Sequence, residues 1–190
     1  MASVSKREHI ISHALPLFYQ NGFNATGIEL IISQAGVSKK TLYKYFKSKD
    51  DLILSVLTKR DEIFRRKLID KTEFLGKTAE GKLLALFDFL HAWFNEVNFF
   101  GCMFINASAE FTDIEHPSHI VCSEHKNKIK AYIKSLAFEA NIKKSSELSA
   151  QLNILMEGAI VEAHVSGDKN SAIKAKKMAE VFINLALSTD

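Results

Sequence analysis

Proline and cysteine are scarce in this sequence, and glycine is not abundant. Two prolines and eight glycines in 190 residues leave little room for a loop-rich or all-β fold. The two cysteines, Cys102 and Cys122, are too few for a disulfide framework and fit a reducing compartment. The first ten residues lack the apolar segment of a signal peptide, and no run approaches the roughly 18 apolar residues of a membrane span. These absences predict a soluble, cytoplasmic protein with no membrane partner.

Apolar residues recur at helical spacing along nearly the whole chain, and no segment has the alternation of a strand. The pattern predicts an all-α fold of about nine helices. The first helix is predicted to run from Ser5 to about Asn21, and Ser38 and Ser48 each stand where a hydroxyl group caps a helix. Thr26 is followed three residues later by Glu29, which has the form of a capping box and predicts that the second helix begins at Thr26.

A short basic segment stands out near the amino terminus. Residues 37–49 hold five lysines and no acid, while Leu42 and Phe46 lie four apart and form one apolar edge. The first 52 residues contain seven Lys/Arg and four Asp/Glu, whereas the remainder contains eighteen of each, so the whole excess of positive charge lies here. Two short helices joined near Gly36, the second of them basic, are the pattern of a helix-turn-helix.

The segment "FYQNGFNATGIELIISQAGVSKKTLYKYFKSKDDLI", residues 18–53, resembles the TetR family of bacterial transcriptional regulators. The later segment "GCMFINASAEF" is similar to the ligand-domain pattern of an AcrR-like branch of that family. The resemblance implies an N-terminal three-helix DNA-binding domain over residues 1–50 and a helical ligand-binding and dimerisation domain over 51–190. It also implies a homodimer that represses genes at a palindromic double-stranded DNA operator and is released by a small-molecule inducer.

The exposed residues of the basic helix and its neighbours are the candidate DNA contacts. Lysine supplies charge that attracts phosphates, and hydroxyl or aromatic side chains supply directed hydrogen bonds. The candidates are Thr26, Ser38, Lys39, Lys40, Thr41, Tyr43, Lys44, Tyr45 and Lys49.

Half of the fourteen phenylalanines lie between residues 83 and 111, which suggests an apolar pocket for a small, largely apolar or electrophilic ligand. Core packing is the alternative for the same aromatic residues. Cys102 follows Gly101 at a predicted helix start, where a thiolate is favoured and could sense an electrophile or oxidant. A buried, small apolar role is the alternative and the favoured interpretation. The ligand candidates are Phe87, His91, Phe94, Cys102, Phe104, Asn106, Glu110 and Phe111.

The last two predicted helices carry broad apolar stripes. The resemblance implies that these stripes form the dimer interface, and completion of the monomer core is the alternative. The interface candidates are Leu152, Leu155, Met156, Ala159, Ile160, Met178, Phe182 and Leu185.

Three histidines, His116, His119 and His125, match no trusted zinc spacing, so neither a metal nor another cofactor is predicted. No phosphate-binding loop, nucleophile elbow or catalytic carboxylate pair is recognisable, so an enzyme is not expected. The alternatives left open are a helical small-molecule carrier or enzyme with an incidental basic helix, and a nucleoid-type factor that lacks an inducer.

Overall fold

The computed structural model describes residues 5–188. In that range all regular elements are helices, and no strand occurs. The helices are α1 (Lys6–Asn21), α2 (Ile28–Ala35), α3 (Lys39–Tyr45), α4 (Lys49–Leu75), α5 (Ala79–Phe94), α6 (Met103–Glu110), α7 (Pro117–Glu139), α8 (Ser145–Val165) and α9 (Ser171–Ser188). The predicted all-α class and the helix count are confirmed for the described residues.

The chain forms two compact units. Among the described residues, the first unit comprises 5–63 and Cys102–His125, and the second comprises Phe64–Gly101 and 126–188. The first unit therefore contains α1, α2, α3 and α6, and the second contains α5, α8 and α9, while α4 and α7 contribute residues to both. The functional boundary predicted at residue 50 is a different division and stays a prediction.

Side-chain caps fix several helix starts where the sequence predicted them. The Ser5 hydroxyl accepts a hydrogen bond from the Glu8 amide at the start of α1. The Ser48 hydroxyl accepts one from the Asp51 amide at the start of α4, over 3.1 Å. Gly36 ends α2 in the left-handed conformation, with φ +60°, which glycine adopts without the steric cost that a Cβ would bring.

The predicted capping box at Thr26 is wrong. Helix α2 begins at Ile28, its cap residue is Gly27, and no side chain caps it. The Thr26 hydroxyl instead donates to the Gly22 carbonyl oxygen over 2.7 Å, because the side chain points into the protein and is fully buried. Thr26 therefore closes the turn between α1 and α2 and does not begin the second helix.

The first unit has a core to which every one of its helices contributes. Leu42 and Phe46, the apolar edge of the basic segment, are completely buried. The core also contains Ile10, Ala14, Phe18, Ile31, Leu52, Val56 and Phe104. Burial of a leucine or phenylalanine side chain contributes about 1.5–3 kcal/mol, so these two residues hold α3 in place.

The second unit is built on α5, α8 and α9. An aromatic cluster surrounds Trp93, whose ring lies 4.9 Å from that of Phe64 and 5.1 Å from that of Phe99, measured between centroids. The Ser171 hydroxyl at the start of α9 donates to the Ala159 carbonyl oxygen of α8 over 2.8 Å. Such a buried hydrogen bond sets where α9 begins against α8.

We expect Leu42→Ala to lower the free energy of unfolding by about 2–5 kcal/mol, because a fully buried side chain is replaced by a cavity. Tyr43→Ala is the matched control, since this neighbouring side chain is exposed and should change the stability by about 0.5 kcal/mol or less. Urea unfolding followed by circular dichroism measures both. Equal losses in the two variants would contradict the packing described for α3.

Candidate nucleic-acid interface

Helix α3 is short, and both of its ends are fixed by hydrogen bonds. The Ser38 hydroxyl accepts a hydrogen bond from the Thr41 amide over 3.1 Å and lies 2.9 Å from the Thr41 hydroxyl. At the other end, the Phe46 amide donates to the Leu42 carbonyl oxygen over 3.0 Å. Ser38 and Thr41 are thus engaged with each other at the start of the helix.

The outer face of α3 is basic. Lys40, Lys44 and Lys47 are exposed, and their side chains have no ion-pair or hydrogen-bond partner among residues 5–188. The Tyr43 ring is also exposed, while Tyr45 is half-buried. Unpaired lysines next to an exposed aromatic hydroxyl form a surface suited to a phosphate backbone.

Two other candidate lysines already have partners within the chain. The Lys39 ammonium lies 2.8 Å from the Glu29 carboxylate of α2, and this contact raises the pKa of Lys39 above its usual value. The Lys49 ammonium donates to the Asn24 carbonyl oxygen over 3.1 Å. Lys49 therefore joins the start of α4 to the turn that precedes α2.

Thr26 was predicted to contact DNA, but its side chain is fully buried and its hydroxyl donates to the Gly22 carbonyl oxygen. A side chain in this position cannot reach a phosphate, so the structure overturns the prediction for Thr26. The other candidates on or beside α3 lie at the surface or half-buried. Their contacts with DNA remain predictions.

The turn before α2 is held by a residue from α6. One oxygen of the Glu110 carboxylate accepts a hydrogen bond from the Phe23 amide over 2.9 Å, and the other accepts one from the Asn24 amide over 2.6 Å. Gly22 has φ +85°, and a Cβ there would lie 3.0 Å from the nearer Glu110 oxygen. The Phe111 ring packs edge-on against Phe23, with 5.9 Å between centroids.

Sequence reasoning assigned Glu110 and Phe111 to ligand binding and missed this contact. The partners are 86 and 87 positions away from Glu110, so no local pattern could have indicated the pairing. Two successive backbone amides form a concave site for an anion. Glu110 fills this site with a carboxylate from the same compact unit.

The other ligand candidates fall in separate parts of the structure. Cys102, Phe104, Asn106, Glu110 and Phe111 belong to the first unit, and Phe87, His91 and Phe94 belong to the second. Phe87, Phe94, Cys102 and Phe104 are buried. The cap position of α6 is Cys102, as the prediction of a helix start required. His91 Nδ1 lies 3.1 Å from the Lys169 carbonyl oxygen.

A buried polar pair lies close to one of these candidates. The His125 ring is 2.7 Å from the Asp61 carboxylate, and both side chains are almost fully buried. The Phe104 ring stacks on His125 with 3.7 Å between centroids. Asp61 was not singled out in the sequence, and His125 was considered only as a metal ligand. Within residues 5–188, no group of three or more His, Cys, Asp or Glu residues could hold a metal ion.

The surface of α8 and α9 is unusually apolar. Ile154 and Val165 on α8 and Val181 on α9 are 70%, 78% and 63% exposed. A cleft of about 330 Å³ lies between the two helices and is lined by both Ile154 and Met178. Of the predicted interface residues, Leu152, Met156, Ala159 and Ile160 are buried in the second unit, Leu155 and Phe182 are half-buried, and Met178 and Leu185 are exposed.

Comparison with known proteins points in one direction. A family model described as "Bacterial regulatory proteins, tetR family" matches residues 10–56. The HTH-type transcriptional regulator YjdC of Escherichia coli K12 is 24% identical over 185 residues, which cover 95% of each chain. The crystal structure of SCO4454, a TetR-family transcriptional regulator from Streptomyces coelicolor, matches with a TM-score of 0.87 and 25% identity over 95% of each chain.

A regulator from Streptomyces avermitilis (sav143) matches with a TM-score of 0.83 and 26% identity over 96% of this chain and 98% of its own. No helix in the described range is long and apolar enough to cross a bilayer. The family model covers the helix-turn-helix, and the similar structures extend over nearly the whole chain. Residues 10–56 therefore match the DNA-binding helix-turn-helix of the tetR family, and the chain as a whole is similar in fold to TetR-family transcriptional regulators.

Proposed function

We propose that the chain is a repressor that binds a palindromic operator as a homodimer and is released by a small ligand. The observation that carries the proposal is the outer face of α3, where Lys40 and Lys44 are exposed and unpaired within the described residues. A helix of this kind enters the major groove, with its first turns toward the base edges. Lys40 and Lys44 then contact phosphates or base edges, and Tyr43 and Lys49 contact the backbone.

A dimer is required because one short recognition helix makes too few contacts for specific binding. Dimeric helix-turn-helix proteins place two such helices about 34–36 Å apart, one turn of DNA. Residues 154, 158, 161 and 165 of α8 follow one another at intervals of four, three and four, and residues 174, 178, 181 and 185 of α9 do the same. This spacing lines one face of each helix, and these faces form the proposed four-helix interface.

The proposed face differs from the sequence prediction. The buried residues of α8, such as Leu152 and Met156, hold the protomer together, while the exposed residues Ile154, Val161 and Val165 remain available to a partner. Gly158 lies between them and permits close approach, since a Cβ at this position would meet nothing within 4 Å. An exposed apolar area of this kind marks a protein interface.

The ligand is proposed to be small and largely apolar or electrophilic. Within the first unit, Phe104 and Cys102 are buried at the start of α6 and supply an apolar environment. An electrophile would have to reach the Cys102 thiol, whose residue is 5% exposed. Membership of an AcrR-like branch fits the same segment and is part of this proposal.

Glu110 supplies a route from the ligand to the DNA-binding helices. It ends α6 and holds the amides of Phe23 and Asn24, and the Asn24 carbonyl oxygen accepts from Lys49 at the start of α4. A ligand that moves the end of α6 would move this turn, and with it α2 and α3. A ligand shifts such an equilibrium only if it binds one arrangement better, with a typical coupling of about 1–3 kcal/mol.

The first experiment selects a duplex from a random-sequence DNA library by repeated binding to the purified protein. We expect an inverted repeat, and replacement of both Lys40 and Lys44 by Gln should weaken its binding about 10- to 100-fold near 0.1 M salt. Lys130→Gln with Lys134→Gln is the control, because it removes two exposed lysines of α7 and changes the net charge equally. Unchanged affinity in the Lys40/Lys44 variant, or failure to select any duplex, would contradict the proposal.

Sedimentation of the purified protein tests the interface. Val181→Asp should convert a dimer into a folded monomer, because a charge would be buried at the centre of the apolar face. Phe138→Asp is the control, since Phe138 is also an exposed apolar residue, 75% exposed, and belongs to α7 and not to the two helices of the proposed face. A wild-type chain that remains monomeric at every concentration would refute the dimer.

Glu110→Gln should weaken binding to the selected duplex about tenfold or more, because the amide group cannot accept from both backbone amides, and hydrogen bonds to a charged group contribute about 1.5–3 kcal/mol each. Glu115→Gln, at an exposed position in the following loop, serves as the control. Amide hydrogen exchange at Phe23 and Asn24 should quicken in Glu110→Gln alone. Faster exchange with unchanged DNA affinity would show that the contact is structural only.

A further inference from the structure

The first residues of α3 carry two kinds of lysine. Lys40 is exposed and unpaired within residues 5–188, whereas the Lys39 ammonium lies 2.8 Å from the Glu29 carboxylate. The pair is open to solvent, with the Lys39 side chain 60% and the Glu29 side chain 72% exposed. In the protein without DNA, one positive charge of α3 is therefore already paired with a carboxylate.

The partner of Lys39 comes from the first turn of α2. No side chain caps this helix, and a carboxylate in a first turn is favoured by the partial positive charge of the helix end. The hydrogen bond to Glu29 and the charge of Glu29 raise the pKa of Lys39 above its usual value. The helix end therefore favours the Glu29 carboxylate at this position, and the carboxylate in turn favours the charged form of Lys39.

The position of Glu29 matters because both helices of a helix-turn-helix approach the same duplex: the second lies in the groove and the first crosses the backbone. A carboxylate in that place repels phosphates. If Lys39 left Glu29 to contact a phosphate, the carboxylate would remain unpaired beside the same backbone. The two residues therefore add no net charge to the interface in either arrangement.

We propose that Glu29 cancels the contribution of Lys39 to DNA binding and thereby lowers the affinity for every duplex. The inference rests on the proposed function and concerns the affinity of the protein for DNA. Phosphate contacts raise affinity for every duplex and carry no sequence information. By removing one of them, Glu29 weakens binding to operator and non-operator DNA alike and leaves recognition to residues that face base edges, such as Lys40 and Lys44.

The test compares the wild type with Glu29→Gln and with the double variant Glu29→Gln, Lys39→Gln. Affinity is measured for the selected duplex and for a random-sequence duplex of equal length, from about 50 to 200 mM KCl, where phosphate contacts give a linear dependence on log salt. Glu62→Gln is the matched control, because Glu62 is also exposed and paired with a lysine, Lys59, at 3.6 Å on α4. It makes the same change in net charge within the same unit.

Glu29→Gln should steepen the salt dependence by about 0.9 per protomer, the value for one added phosphate contact. It should tighten binding to both duplexes by a similar factor, about three- to tenfold per protomer near 0.1 M salt. The double variant should return to the wild-type slope and affinity, because it removes a pair with no net charge. Glu62→Gln should leave both quantities unchanged.

Three results would overturn the inference. If the salt dependence of DNA affinity were unchanged in Glu29→Gln, Glu29 would not act on the DNA interface. A double variant that binds more weakly and with a shallower slope than the wild type would show that Lys39 contacts a phosphate despite Glu29. An equal effect of Glu62→Gln would show that the change in DNA binding comes from the net charge of the protein and not from the position of Glu29. A wild type that binds neither duplex at 50 mM salt would instead refute the proposed function together with the inference.

Discussion

The burial of Leu42 and Phe46 is the constraint on which the DNA-binding surface depends. Helix α3 spans only Lys39–Tyr45, and isolated helices of this length do not form in water because nucleation is costly. Packing of its inner edge therefore supplies the stability that the helix lacks, and the Ser38 cap sets its first turn. The same packing fixes the direction of every outer side chain at once. The lysines form one surface because two apolar residues on the opposite edge are held by the core.

The turn at residues 22–26 is a second constraint, and it joins elements that are far apart in sequence. Thr26 closes it from within, Glu110 accepts from its amides, and Lys49 donates to its outer carbonyl oxygen. These contacts come from the turn itself, from α6 and from the start of α4. The segment that resembled a ligand-domain pattern therefore also holds the entry to α2. In the proposed function, Glu110 would couple ligand binding to DNA binding through this one contact, without a large contact area.

The sequence predicted those features that depend on neighbouring residues. The cap at Ser38, the inner edge of α3 and the left-handed Gly36 all follow from local spacing, and the structure confirms them. The start of α2 was wrong because the Thr26 hydroxyl found a carbonyl oxygen four residues before it. The contact of Glu110 and the Asp61–His125 pair span 64 to 87 positions and leave no local signal. On α8, periodicity found apolar positions but could not tell which of two stripes faces the protomer's own core, since Leu152 is buried and Ile154 is exposed.

A ligand-released repressor must bind its operator strongly enough to occupy it and weakly enough to leave. A coupling of about 1–3 kcal/mol changes affinity by roughly 5- to 150-fold, whereas each added phosphate contact multiplies affinity for all DNA at low salt. In the proposed function, a recognition helix with every lysine unpaired would bind operator and non-operator DNA more tightly alike. The inferred effect of the ion pair between Lys39 and Glu29 is to limit that general attraction, while Lys40 and Lys44 stay unpaired within the described residues. On this proposal, the smaller effective charge of the helix keeps the affinity for DNA within the range that the free energy of ligand binding can change.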